Sequence, residues 1–103
     1  MKKQEIFART LEIVCEVTEV PAALVMSRCM REEVVDARHI VVKLLSESGL
    51  YGSEIAEFTR ISGRGVYKIL TDFDNRLKIR KPLRINYEQI LHQCATKYEA
   101  TRN

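Results

Sequence analysis

Tryptophan is absent from this chain of 103 residues, aromatic residues make up 7% of it, and it holds only two prolines and four glycines. So few β-favouring aromatics and turn residues leave little material for hairpins, while long helices can run unbroken. The three cysteines, Cys15, Cys29 and Cys94, are odd in number, far apart and in no paired motif. They indicate neither a disulfide framework nor a zinc site, and they point to a reducing compartment. No segment approaches the roughly 18 uninterrupted apolar residues of a membrane span, and Met1-Lys2-Lys3 is followed by polar residues instead of a signal peptide's apolar run. Catalytic signatures are missing as well. His39 and His92 lie far apart, and there is no Gly-x-x-x-x-Gly-Lys phosphate loop, His-Glu-x-x-His zinc helix or nucleophile elbow. These absences predict a cytoplasmic protein that is not an enzyme and needs no cofactor, metal, membrane or small-molecule substrate.

What is present is helical. Hydrophobic residues at 46% and charged residues at 30% are a globular mix, and the length suits one domain over residues 1–103. Apolar residues recur at helical spacing from about Lys3 to Thr18, on Phe7, Leu11, Val14 and Val17. Val20-Pro21 breaks this pattern and starts a short helix over Pro21 to Met26. The clearest helix spans Glu32 to Glu47, with a stripe of Val34, Ala37, Val41 and Leu44 widened by Ile40 and Leu45, and Gly49 beyond its end. A last helix is expected over about 86–101, capped by Asn86 with Gln89 three residues on and with Tyr87, Ile90, Cys94 and Tyr98 facing inward. The expected fold is all-α, a compact bundle of about five to six helices.

Ile55 to Leu70 has the pattern of a helix-turn-helix, with the motif over about 53–75. Ser53 caps a first helix running to Thr59, and Ser62 caps a second running through Phe73 toward Leu77. Ala56 is small where two steeply crossing helices must approach, Ile61 plugs the turn, and Val66 and Ile69 face inward. Arg60 occupies the turn position that favours glycine for a left-handed backbone, and Thr59 the usually apolar position before it. Gly63 and Gly65 each weaken the start of the second helix by roughly 1 kcal/mol against alanine, a cost explained by a close backbone approach. The outer face then offers Arg64, Tyr67, Lys68 and Thr71 to base edges in a major groove, with Arg64 suited to a bidentate pair with guanine.

Basic residues are unevenly placed. Between Arg76 and Arg84 stand Arg76, Lys78, Arg80, Lys81 and Arg84 without one acid, and the net charge of +3 rests on this run. With Arg28, Arg31, Arg38 and Arg60 they form a candidate set for phosphates and the minor groove. The expected partner is double-stranded DNA. A protein-interaction module built on a degenerate helix-turn-helix, or a subunit that targets a transposase or recombinase to DNA, accounts for the same pattern. Either a homodimer or a protein partner suits the last helix.

The stretch Glu33-Val-Val-Asp-Ala-Arg-His-Ile-Val-Val-Lys-Leu-Leu-Ser-Glu47, followed by Gly49-Leu-Tyr-Gly-Ser-Glu-Ile-Ala56, resembles the C-terminal DNA-binding domain of the bacterial replication initiator DnaA. It is also similar to the wider Trp-repressor-like helix-turn-helix domains. The match spans roughly Glu12 to Arg76 and is strongest at Val35-Asp36-Ala37-Arg38. The resemblance implies an all-α domain that binds duplex DNA in a replication or transcription-regulating role, with Arg38 on the DNA backbone and the loop before the central helix near a minor groove. In place of the family's Asp-His-Ser/Thr-Thr-Val signature this chain has Ser62-Gly63-Arg64-Gly65-Val66, and Met30 falls where the family has a minor-groove arginine. The family's base contacts therefore do not transfer, and its ATPase domain has no counterpart in these residues.

Overall fold

The computed structural model describes the backbone of residues 2–102 and the side chains of residues 2–94, and within them the chain forms six helices and no strand. Helix α1, Lys3–Thr18, buries Thr10, Ile13 and Val14 and ends where Glu19 turns left-handed at φ 60°. Thr18 Oγ1 donates to the Val14 carbonyl at 2.6 Å and accepts from Val20 N at 3.3 Å, which satisfies backbone groups the helix end leaves open. Helix α2 is a single turn, Ala22–Val25, entered from an extended Pro21.

Helix α3, Glu32–Glu47, has the expected bounds and packs against all five other helices. Its buried set takes in Val42 and Asp36 in addition to the expected stripe, because a helix surrounded by neighbours needs more than one apolar face. Two acids in its first turn, Glu32 and Glu33, lie favourably against the helix dipole. At its other end Gly49, at φ +97°, donates to the Ser46 carbonyl at 3.0 Å, Leu50 donates to Leu45 at 3.1 Å, and the Leu50 side chain is buried. This is the paired-bond stop that a left-handed glycine allows.

Two helix starts differ from the sequence expectation. Helix α4, Gly52–Thr59, is capped from Tyr51 and not from Ser53: the Glu54 carboxylate accepts the Tyr51 N–H at 2.9 Å, and it also pairs with the Lys3 ammonium of α1. An acid at the third position with a charged partner outcompeted the serine. Helix α6, Lys81–Arg102, starts five residues before Asn86, which is an interior position. Arg80 alone, extended at φ −107° and ψ 100°, separates it from α5, Gly63–Ile79. Pro82 fits inside the first turn of α6, where its missing N–H removes no helical bond. The Leu77–Arg80 stretch is therefore helical up to Ile79. Tyr98 lies outside the described side chains.

The core runs along α3 and closes over Phe73, Leu83 and Ile90. Phe7 stacks on Phe58 with centroids 5.3 Å apart, and Phe73 meets Tyr87 edge-on at 5.0 Å, which ties α1 to α4 and α5 to α6. His39, half-buried on α3, has its Nδ1 buried without a hydrogen-bond partner. Burial, reinforced by the charge of Arg76, pushes its pKa down to about 4.

Because the unfolded imidazole takes up a proton near its ordinary pKa of about 6.5 and the folded one does not, stability should fall as pH drops from about 6.5 toward 4. Allowing for the ring's partial exposure, the loss attributable to His39 is on the order of 2 kcal/mol. Urea unfolding across that range should show the slope in the wild type and a flatter one in His39→Leu.

Candidate nucleic-acid interface

Helices α4 and α5 with residues 60–62 between them form the helix-turn-helix. Ile55 is fully buried, Ala56 is half-buried against the core, Ile61 packs into the turn, and Val66 and Ile69 point inward as the pattern requires. Both irregular positions have physical explanations. Arg60 adopts the left-handed backbone at φ 62°, at a cost of about 1 kcal/mol for a residue with a Cβ. Thr59, buried, donates its hydroxyl to the Ile55 carbonyl at 2.7 Å and accepts from Ile61 N at 3.4 Å, so its polar atom is satisfied inside the turn.

Ser62 caps α5, its Oγ accepting from Gly65 N at 3.0 Å. The two glycines then part company. A Cβ on Gly65 would stand 2.8 Å from Ile61 Cγ2 and 3.2 Å from Ser62 Oγ, so the close approach is internal and lets the turn fold against the helix. Gly63 has nothing within 4 Å of such a Cβ and faces open space.

The side chains of Arg64, Tyr67, Lys68 and Thr71 are all exposed, Tyr67 at 73%. Thr71 Oγ1 donates to the Tyr67 carbonyl at 2.8 Å, which leaves the hydroxyl free to accept. Arg64 and Lys68 make no ion pair with any described residue, and α5 carries no acid before Asp72. Positive charge on the first turns, added to the positive end of the helix dipole, makes this half of α5 receptive to an anion.

Three of the arginines expected on phosphates are turned inward instead. Arg80 grips Asp36 with two nitrogens, Nε at 2.9 Å from Oδ1 and Nη2 at 2.6 Å from Oδ2, and reaches Glu32 at 3.1 Å through Nη1. Arg76 Nη2 adds a contact to Asp36 Oδ1 at 3.1 Å. Asp36 is 2% exposed, and these contacts offset the cost of burying its carboxylate. Arg38 is a clamp on the chain before α3: Nε donates to the Val25 carbonyl at 2.9 Å, and Nη2 to Ser27 at 2.6 Å and Cys29 at 3.0 Å. Carbonyls of an irregular loop that would otherwise lack donors take up this guanidinium. Sequence reasoning missed the acid that recruits Arg76 and Arg80. Its signal was a lone carboxylate among Val34, Val35, Ala37 and Ile40.

The remaining basic residues fall into two groups. Arg60 is exposed in the turn that leads into the start of α5, which carries Arg64 and Lys68. Arg28 and Arg31 are exposed in the loop before α3, where Arg31 lies 3.7 Å from Glu33 and holds the Cys29 thiol below its ordinary pKa through hydrogen bonds. That loop is near the far end of α5, because Arg80 reaches Glu32 next to Arg31. At 1.5 Å per residue the two ends of α5 stand about 24 Å apart. Lys81 is exposed at the α5–α6 junction, while Lys78 and Arg84 line a groove between those helices. Met30, beside Arg31, is also exposed.

Among the described residues no group of three His, Cys, Asp or Glu side chains is placed to hold a metal ion, no helix is long and apolar enough to cross a membrane, and neither Cys15 nor Cys29 is in a disulfide. No protein-family model, curated protein or solved structure matches the chain.

Removing the buried acid leaves two guanidinium groups facing an apolar wall, so Asp36→Ala should lower the unfolding free energy by about 3 kcal/mol. The readout is a lower urea midpoint at unchanged m-value. Gly65→Ala should cost about 1 to 2 kcal/mol by wedging Ile61 from the turn, whereas Gly63→Ala should stabilise by up to about 1 kcal/mol. Thermal melts of the two variants separate these outcomes by sign.

Proposed function

We propose that this chain binds double-stranded DNA as a helix-turn-helix protein, with the N-terminal half of α5 in a major groove. One observation carries the reading. With Arg38, Arg76 and Arg80 committed to partners within the chain, Arg64 and Lys68 remain exposed, without a carboxylate partner among the described residues, on the same turns as Tyr67 and Thr71. A helix that follows a tight left-handed turn and presents an arginine and a lysine on its first turns has the chemistry to read base edges and grip the flanking phosphates. Arg64 would read guanine, Lys68, Tyr67 and Thr71 would take a base or a phosphate, and Arg60 would lie on the adjoining phosphate. The similarity of Val35-Asp36-Ala37-Arg38 and Glu54-Ile55-Ala56 to the DnaA domain supports a place in replication or its regulation, in the cytoplasm. Arg38, held by loop carbonyls, is left out of the DNA contact.

Fluorescence anisotropy against a randomised duplex pool at several salt concentrations tests this directly. Wild-type protein should bind at low salt, and Arg64→Ala with Lys68→Ala should weaken binding at least tenfold with an unchanged melt. Arg60→Gly should do two opposite things: stabilise the fold by up to about 1 kcal/mol by relieving the left-handed backbone, and reduce the log-log salt slope by about 0.9, one phosphate's worth. Absence of binding at low salt would overturn the proposal. Full affinity in the double variant would transfer the contact away from α5.

A further inference from the structure

Where α5 ends against the first turns of α6, the surface opens into a groove of about 340 Å³ lined by Leu77, Lys78, Arg84, Tyr87, Glu88 and Leu91. Leu91 is 39% exposed, and near the junction Ile79 and Ile85 are 80% and 50% exposed, a concentration of large apolar side chains that water disfavours. The charges around the groove are of both signs. Asp74, which faces Tyr87, and Lys78 are one turn apart on α5, and Arg84 and Glu88 are one turn apart on α6. None of the four forms an ion pair with a described residue, although both pairs have the spacing for one. A rim that carries both signs around an apolar floor suits a partner surface that also carries both signs.

We propose that the occupant is a second copy of this chain, packed through the same groove about a two-fold axis. With that axis crossing α6 at right angles near residue 86, the two copies of α6 run antiparallel, Arg84 of each lies against Glu88 of the other, and the apolar floors of the two grooves are covered from water. An isologous contact requires a surface complementary to itself, and an opposite-charge pair repeated one turn apart on a helix has that property when the helix is reversed. The inference stands apart from DNA binding, since none of Arg64, Tyr67, Lys68 and Thr71 takes part.

Sedimentation equilibrium of the full chain without DNA reads the self-association, and circular dichroism checks the fold of each variant. Wild type should show a concentration-dependent dimer. Arg84→Glu and Glu88→Arg should each weaken dimerisation at least tenfold, because each sets like charges across the axis. Mixing the two variants should restore it, since the mixed dimer again sets an acid against a base at both contacts. Leu91→Lys should leave a folded monomer. A wild type monomeric up to its solubility limit, variants that associate like wild type, or a mixture that stays monomeric would each overturn the proposal.

Discussion

A carboxylate with almost no contact with water joins α3 to the end of α5. Asp36 lies on the most buried helix, and its charge is tolerable there because Arg80 meets it with two parallel hydrogen bonds and Arg76 with a third. Replacing such a group by an apolar one of equal volume is often neutral in energy, whereas breaking it is costly. Its contribution is therefore geometric. A bidentate pair has one orientation, and it fixes the C-terminal end of α5 against the N-terminal end of α3.

The rest of the arrangement depends on that fixed crossing. Because α5 is anchored at its far end by Arg76 and Arg80, and at its start by Ser62 and the Gly65–Ile61 contact, its outer face has a single direction. His39 shares the α3–α5 seam, and the positive charge of Arg76 helps keep its ring neutral. The same helix that carries Asp36 carries Arg38, which holds the loop before α3 by its carbonyls. Acid and base two residues apart on α3 thus perform opposite tasks: one gathers arginines from a distant helix, the other gathers backbone from the preceding loop.

The distribution of charge follows. A basic run that looks like one phosphate-binding patch is divided by the fold into two half-buried arginines paired with Asp36, an exposed junction lysine and two groove residues. The charge left at the start of α5 is small, but it is in no ion pair with a described residue and lies at the positive end of a helix. Placement and freedom from partners, more than the count of bases, set the local potential at that end.

The sequence by itself determined the elements. The bounds of α3, the left-handed Arg60, the serine cap of α5 and the inward set Ile55, Val66 and Ile69 were legible because apolar periodicity and capping are local properties, expressed within one or two turns. Only the tertiary structure decided the rest. Whether Arg76 and Arg80 face solvent or Asp36 depends on an acid 40 and 44 residues away, and whether Gly65 opens outward or toward Ile61 depends on the angle of the turn. The start of α6 shows the same division at short range: a serine, asparagine or proline signals a boundary, but the neighbours that compete for each backbone group determine which residue serves as the cap.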